Sequence, residues 1–179
     1  MDKWKQLSCR EHTVNKYWTY KIDDYYIPGA DHYGEYHYIH TNGSTMVVPV
    51  NEDNKIILLN QYRYLLDRDS IELPCGGISA GYEAVENADK ELREETGFGA
   101  RKYKYAGYFA PFNGVSDELC HVFIAEDLYP APLKPDQTEE FELIAATFDE
   151  VEKMIADNTI WDGMTVAAWN LAKAKLTSG

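Results

Sequence analysis

The chain has few cysteines, and it lacks both a signal-peptide pattern and a long apolar run. Three of its 179 residues are cysteine (Cys9, Cys75 and Cys120), and no two of them form a CXXC pair. Their odd number and spacing make a reduced, cytoplasmic setting the simplest interpretation. Since no apolar run reaches membrane-spanning length, we expect a soluble protein with no membrane partner.

Basic residues are also scarce, with 17 Lys and Arg against 30 Asp and Glu and a net charge of −13. This balance argues against nucleic acid as the main partner, because phosphate backbones are bound by surfaces rich in Lys and Arg. A small anionic substrate remains compatible, since a metal ion and a few local basic residues would meet its charge. The length suits one ordinary domain with a small N-terminal extension.

Acidic residues are concentrated in segment 76–98, GGISAGYEAVENADKELREETGF, which contains five glutamates. Three of them, Glu91, Glu94 and Glu95, fall within about a turn and a half of a helix predicted over 83–96. Residues three and four apart share a helix face, so Glu91 projects beside the other two. Because like charges at this spacing repel, the cluster indicates a bound hard divalent cation such as Mg²⁺. A solvated acidic helix face is the alternative.

The surroundings of the acidic helix favour a site over a solvated face. Four glycines flank the helix, three before it and one after it: Gly76, Gly77, Gly81 and Gly97. The last of them is placed where a left-handed residue ends a helix. Val85, Ala88 and Leu92 recur at i, i+3 and i+7 and form an apolar stripe that can pack on a core. The acids lie off that stripe, so the helix can anchor by one face and present carboxylates elsewhere.

This spacing resembles the Nudix box: G, five residues, E, seven residues, R-E, an aliphatic residue, any residue, E-E, any residue, G and an aliphatic residue. Counted from Gly76, the matching positions are Glu91, Leu92, Glu94, Glu95, Gly97 and Phe98. Two positions depart, because the first glutamate falls on Tyr82, with Glu83 one place late, and the arginine is Lys90. In the family these positions help to orient the acidic helix. Glu86, four residues before Lys90, could supply a substitute ion pair.

Residues 61–76, QYRYLLDRDSIELPCG, are similar to the QYR and ELPAG signatures of the ADP-ribose and nucleoside-diphosphate-sugar pyrophosphatases. The resemblance implies that Arg63 and Glu72 lie near the substrate, together with the backbone at Gly76 and Gly77. It also implies that the carbonyl of Cys75 is a metal ligand. A surface strand arginine is the alternative for Arg63. A nucleophilic role for the Cys75 thiol is not favoured, because no histidine partner is nearby in sequence.

Two later acidic segments are implicated by the same resemblance. In segment 110–128, Asp117 and Glu118 belong to a loop that borders the diphosphate and the distal sugar in related enzymes. In segment 138–142, TEEFE, Glu139 and Glu140 are candidates for a general base or an extra metal ligand. The sequence does not choose between these two and the box residue Glu94. A solvated acidic loop is the alternative for the second segment.

The distribution of strand and helix patterns predicts an α/β (α+β) fold. Strands are predicted at 17–27, 34–40, 45–50, 55–61, 102–109, 118–125 and 141–147, and helices at 83–96, 150–157 and 163–175. Residues 70–73 lead into the glycine-rich loop before the first helix. Asp149 and Asp162 are the predicted caps of the last two helices. The resemblance implies a Nudix α/β/α sandwich with a mixed sheet and an N-terminal antiparallel strand extension. We place the boundary between an N-terminal strand region, 1–44, and a hydrolase domain, 45–179.

The expected activity is Mg²⁺-dependent hydrolysis of a nucleoside diphosphate sugar, ADP-ribose or similar, to a nucleoside monophosphate and a sugar phosphate, with Mn²⁺ as a substitute ion. Divalent ions held by the box glutamates would polarise a phosphoryl oxygen and acidify a bound water, whose proton a loop carboxylate could take. The resemblance also implies a homodimer formed by the tyrosine-rich N-terminal strands, which help to stack the nucleobase. Two alternatives remain: a Nudix hydrolase of another nucleoside diphosphate derivative, and a non-catalytic nucleotide-sugar sensor.

Overall fold

The structure, a computed structural model, describes residues 2–135 and 140–176. Within them lie three helices and ten strands. The strands are β1 (Lys5–Val14), β2 (Thr19–Ile27), β3 (His32–His40), β4 (Ser44–Pro49), β5 (Ile56–Arg63), β6 (Arg68–Glu72), β7 (Cys75–Gly77), β8 (Phe98–Phe109), β9 (Cys120–Pro130) and β10 (Glu142–Ala146). The helices are α1 (Ala84–Thr96), α2 (Phe148–Ala156) and α3 (Gly163–Leu176).

A four-stranded mixed sheet in the order β7-β4-β9-β8 forms the centre of the fold, with β4 parallel to β9. All six residues of β4 are buried, because helices cover both faces of the sheet, and its sequence STMVVP accordingly lacks polar alternation. Ala88 and Leu92 of α1 pack with Val47 and Phe123 on one face. On the other face, Trp169 of α3 belongs to a cluster with residues of α2 and the sheet. The predicted α/β/α sandwich is confirmed.

The caps of the two C-terminal helices differ in how well the sequence predicted them. Asp162 caps α3, as expected, and accepts a hydrogen bond from the Thr165 amide at 2.7 Å. The prediction that Asp149 caps α2 was wrong. Thr147 is the N-cap, and its hydroxyl accepts from the Glu150 amide while the Glu150 carboxylate accepts from the Thr147 amide at 2.7 Å. This reciprocal capping box starts α2 two residues earlier than predicted.

A separate antiparallel sheet, β1-β2-β3, precedes the central one and is the predicted N-terminal extension. A one-turn helix over Pro28–Ala30 joins β2 to β3. Strand β1 was not predicted, because every one of its residues is exposed and polar residues dominate both of its faces. The sheet attaches to the rest of the chain through β3, where Ile39 bridges Ser116 and the Tyr36 hydroxyl donates to the Gly114 carbonyl at 3.2 Å.

A third, small sheet has the order β10-β5-β6. Its strand β5 contributes Ile56 and Leu58 to the same buried cluster as Trp169, so this sheet packs on the α2–α3 side. In ranges 2–135 and 140–176, no helix has both the length and the apolar character needed to cross a membrane.

Candidate active site

Hydrogen bonds connect the acidic helix α1 to β7, the strand that precedes it. Strand β7 lies where no strand was predicted, because its three residues form a strand only by pairing with β4. Asn87 of α1 is fully buried, and its amide donates to Thr45 Oγ1 at 3.0 Å and to the Gly76 carbonyl at 3.4 Å. Its oxygen accepts from the Ser79 amide at 3.2 Å. These bonds fix the orientation of α1 over β4 and β7. Asn87 was not among the predicted site residues.

Glu91 lies directly against the backbone of Gly76. A Cβ atom at Gly76 would have all three carboxylate atoms of Glu91 within 2.6 Å, a distance that no real contact allows. The Glu91 side chain is only 12% exposed, so it has little room to withdraw. Gly76 is therefore needed for close approach, which explains why a glycine stands at the start of the acidic segment.

Glu95 also contacts β7, at Cys75, the residue before Gly76. It is buried, and its Oε2 accepts a hydrogen bond from the Cys75 amide at 3.0 Å. The Cys75 thiol is a poor nucleophile, because burial, with nearby Cys120 and Glu95 adding to it, raises its pKa well above the ordinary value. In this structure Cys75 contacts the box through its backbone amide.

Lys90 bridges two of the box carboxylates. Its Nζ lies 3.1 Å from Glu91 Oε1 and 2.5 Å from Glu94 Oε2. Partial burial alone would lower the Lys90 pKa, but the hydrogen bonds to Glu94 and Glu91 outweigh it and the pKa is raised. The ion pair expected between Lys90 and Glu86 is not formed. Glu86 instead accepts from the Glu83 amide at 3.0 Å and caps the start of α1.

The donor groups around β7 and α1 fit a hard divalent cation in chemistry and charge. Glu91, Glu94 and Glu95 offer carboxylate oxygens on adjoining positions, and Mg²⁺ prefers such ligands. The Lys90 ammonium lies between Glu91 and Glu94, where it stands in for a cation shared by them. Within the described ranges, no group of three or more His, Cys, Asp or Glu side chains is already gathered for a metal ion. A shared cation therefore requires these side chains to regroup.

Arg63 and Glu72 form a bidentate ion pair next to the box. Arg63 Nε donates to Glu72 Oε1 at 2.7 Å, and Nη2 donates to Oε2. The Glu72 side chain is 4% exposed whereas that of Arg63 is 45% exposed, so a buried carboxylate holds a half-exposed guanidinium. The hydrogen bonds to Glu72 raise the Arg63 pKa. Because the pair uses Nε and Nη2, Nη1 can still donate to an anionic group.

Asp117 and Glu118 both anchor their loop in this structure. Asp117 Oδ2 lies 2.7 Å from His40 Nδ1, and its Oδ1 accepts from the Thr41 amide at 3.3 Å. Glu118 accepts from the Ser44 hydroxyl at 2.6 Å, and Ser44 pairs with Gly77 of β7. The loop is thus brought to the same end of the central sheet as the box. His40 and Ser44 were missed, because their partners lie more than 70 residues away.

The candidates for a general base in segment 138–142 are Glu139 and Glu140. Glu139 lies outside the described residues. Glu140 is exposed and shortly precedes β10.

A cavity of about 570 Å³ lies along the outer face of α1. Its lining includes Tyr82, Val85, Glu86 and Lys90. Val85, predicted on the buried stripe, is 39% exposed here, because the helix turns Ala84 rather than Val85 toward the cluster of Ala88 and Leu92. Lys90 contacts Glu91 and Glu94 and also lines this cavity.

Comparison with known proteins identifies a family model, curated relatives and a solved structure that resemble this chain. The NUDIX domain family model matches residues 40–167. The ADP-ribose pyrophosphatase of Bacillus subtilis (strain 168) is 34% identical over 128 residues, which are 70% of this chain and 69% of that protein. The methanol dehydrogenase activator of Bacillus methanolicus is 32% identical over 128 residues, with the same coverage. The crystal structure of an ADP compounds hydrolase matches with a TM-score of 0.87 over 99% of this chain and 96% of that one, at 22% identity.

Proposed function

This chain belongs to the NUDIX domain family and is a Nudix hydrolase, and we propose that it hydrolyses the diphosphate bond of a nucleoside diphosphate sugar such as ADP-ribose. The products are a nucleoside monophosphate and a sugar phosphate. The observation that carries the proposal is the placement of Glu91 and Glu95 against β7, at the strand end reached by the Arg63–Glu72 segment. The substrate class is supported by the similarity to the Bacillus subtilis pyrophosphatase.

We assign the divalent cation, Mg²⁺ or Mn²⁺, to Glu91, Glu94, Glu95 and the carbonyl of Cys75. When bound, the cation would screen the diphosphate charge, polarise a phosphoryl oxygen and acidify an attacking water. The candidates for the carboxylate that would accept a proton from the nucleophile are the box residue Glu94 and the loop residues Glu139 and Glu140.

The remaining site residues bind and orient the substrate. The Arg63 guanidinium, fixed in direction by Glu72, donates to the diphosphate or its ribose. The backbone at Gly76 and Gly77 lies alongside the same group. Asp117 and Glu118 shape the loop that borders the distal sugar, since each ties it to a neighbouring strand.

The N-terminal sheet is proposed to form a homodimer. Several of its large apolar side chains are exposed: Trp4, Leu7, Val14, Trp18, Tyr33 and Tyr36. An exposed aromatic sheet with an open edge favours association with a second copy. One of its aromatics would then stack on the nucleobase.

A substrate panel tests the proposal. Nucleotide sugars, nucleoside triphosphates and dinucleoside polyphosphates are incubated with Mg²⁺, and phosphate is measured after coupling to a phosphatase. We expect nucleotide sugars to give the highest kcat/KM. In the Glu95→Gln variant the amide oxygen can still accept from Cys75 but the charge is lost, so kcat falls at least about a hundredfold with an unchanged circular dichroism spectrum. Near-normal turnover in this variant, or no hydrolysis of any nucleotide sugar, would contradict the proposal.

A further inference from the structure

We propose that Lys90 is a displaceable counter-cation: its ammonium occupies the Glu91–Glu94 pair in the metal-free protein and moves into the cavity beside α1 when a divalent cation binds. The inference rests on the proposed metal site. It concerns the position where the Nudix pattern has arginine and this chain has lysine.

The first support is the geometry of the ion pairs. Lys90 Nζ is within 3.1 Å of Glu91 and at 2.5 Å from Glu94, and all three side chains are less than one-third exposed. A divalent cation that takes an oxygen from both glutamates competes with the ammonium for the same negative charge. Two positive ions that share the same two carboxylates in a partly buried site repel strongly. Lys90 and the divalent cation therefore cannot both stay between these carboxylates.

The second support is the space available to the displaced side chain. Lys90 lines the cavity of about 570 Å³ on the outer face of α1, so the ammonium can swing away from Glu91 without unfolding the helix. Glu86, one turn before Lys90, and the adjacent Asp89 also line this cavity, so the displaced ammonium stays near negative charge. Lysine suits this movement because its ammonium is a point charge on a flexible stem, whereas the arginine fork is held by planar bidentate bonds.

The consequence is that Lys90 weakens divalent cation binding while it stabilises the metal-free helix. Removal of the ammonium takes one positive charge away from Glu91 and Glu94. The metal-free protein is then less stable, and a divalent cation gains more by binding. A residue that only held the carboxylates in place would act in the opposite direction, because its loss would disorder the ligands and weaken metal binding.

The test measures Mg²⁺ binding alone, by calorimetry without substrate, and melting temperature with and without Mg²⁺. We expect Lys90→Met to bind Mg²⁺ about tenfold or more tightly than the parent chain and to melt at a lower temperature without metal. Lys90→Arg keeps the positive charge and should stay much closer to the parent affinity. Lys102→Met is the matched control, because it also removes one charge but from an exposed pair with Asp127, and its affinity should change less than about twofold.

A second measurement does not depend on how the Met variant folds. In the parent chain with ¹³C-labelled lysine, the Lys90 Cε resonance, identified by its loss in Lys90→Arg, should shift during Mg²⁺ titration with the same midpoint as calorimetry. Unchanged or weaker Mg²⁺ binding by Lys90→Met, or a Lys90 resonance that does not move at saturation, would overturn the inference. Failure of the parent chain to bind Mg²⁺ would overturn the inference and the metal site together. Binding without hydrolysis would contradict only the proposed function.

Discussion

Replacement of Gly76 by alanine should impair the site while leaving the fold nearly intact. The new Cβ would overlap the Glu91 carboxylate, all of whose atoms would lie within 2.6 Å, and ordinary contact begins at 3.4 Å. The carboxylate must therefore retreat by roughly 1 Å, a misplacement that typically costs about a hundredfold in rate at a catalytic centre. The backbone of Gly76 does not have positive φ, so alanine fits the main chain.

The cost to stability should be small, because the clash involves only the end of one side chain. Overpacking in a core costs about 1–3 kcal/mol, and the gain from replacing a strand glycine offsets about 0.5–1 kcal/mol of it. We expect kcat to fall about a hundredfold and Mg²⁺ affinity to fall, with a decrease in unfolding free energy of about 1 kcal/mol. Hydrolysis kinetics, Mg²⁺ calorimetry and urea denaturation measure the three quantities.

Gly77→Ala is the matched control. Its Cβ would meet only the Gly43 carbonyl, at 4.0 Å, which is ordinary van der Waals contact. This neighbouring variant should therefore keep Mg²⁺ affinity, measured without substrate, within about threefold of the parent value. Equal loss of Mg²⁺ affinity in both variants would show that β7 itself, rather than the Glu91 contact, is sensitive. Full activity of Gly76→Ala would refute the argument that close packing on Gly76 positions Glu91.

Two further predictions concern the N-terminal sheet and the arginine next to the box. Deletion of residues 1–40 should abolish both dimerisation, measured by light scattering, and hydrolysis, even though the box is intact. A monomeric parent chain would contradict the dimer, and a soluble truncated form with normal turnover would contradict the substrate role. Arg63→Lys should lower kcat/KM about tenfold or more, because lysine keeps the charge but not the bidentate bond to Glu72. A lysine variant with unchanged KM and kcat would place Arg63 outside the substrate site.

The parts of the fold that follow from local chemistry could be predicted from the sequence. The left-handed Gly97 ends α1 as expected, with φ of 76°, and Asp162 caps α3. Each signal is contained within a few residues and carries its own physical cause. The buried strand β4 was also predicted, because a strand covered on both faces has an unbroken apolar sequence.

The features that depend on distant partners could not be predicted. Strand β7 forms because Gly77 pairs with Ser44 and Cys75 pairs with Met46, and both partners belong to β4. The roles of His40 and Ser44 depend on a loop more than 70 residues further along the chain. Spacing alone favoured Glu86 as the partner of Lys90, but the Glu86 carboxylate accepts a hydrogen bond from the Glu83 amide at the start of α1. The spacing of residues along a helix determines which side chains are close enough to pair. Which pair forms depends on whether the backbone or another side chain bonds to one of them instead.

The two departures from the Nudix pattern do not leave the acidic helix unsupported. Tyr82 is 47% exposed and lines the outer cavity, so it does not occupy the inner contact between α1 and β7. That contact is made by Asn87, whose three hydrogen bonds link α1 to β4, β7 and the connecting loop. Glu83 and Glu86 organise the helix start. Because the buried bonds of Asn87 hold α1 against β4 and β7 without Tyr82 or Lys90, the departures give no physical reason for lost turnover, and a hydrolase is favoured over a non-catalytic sensor.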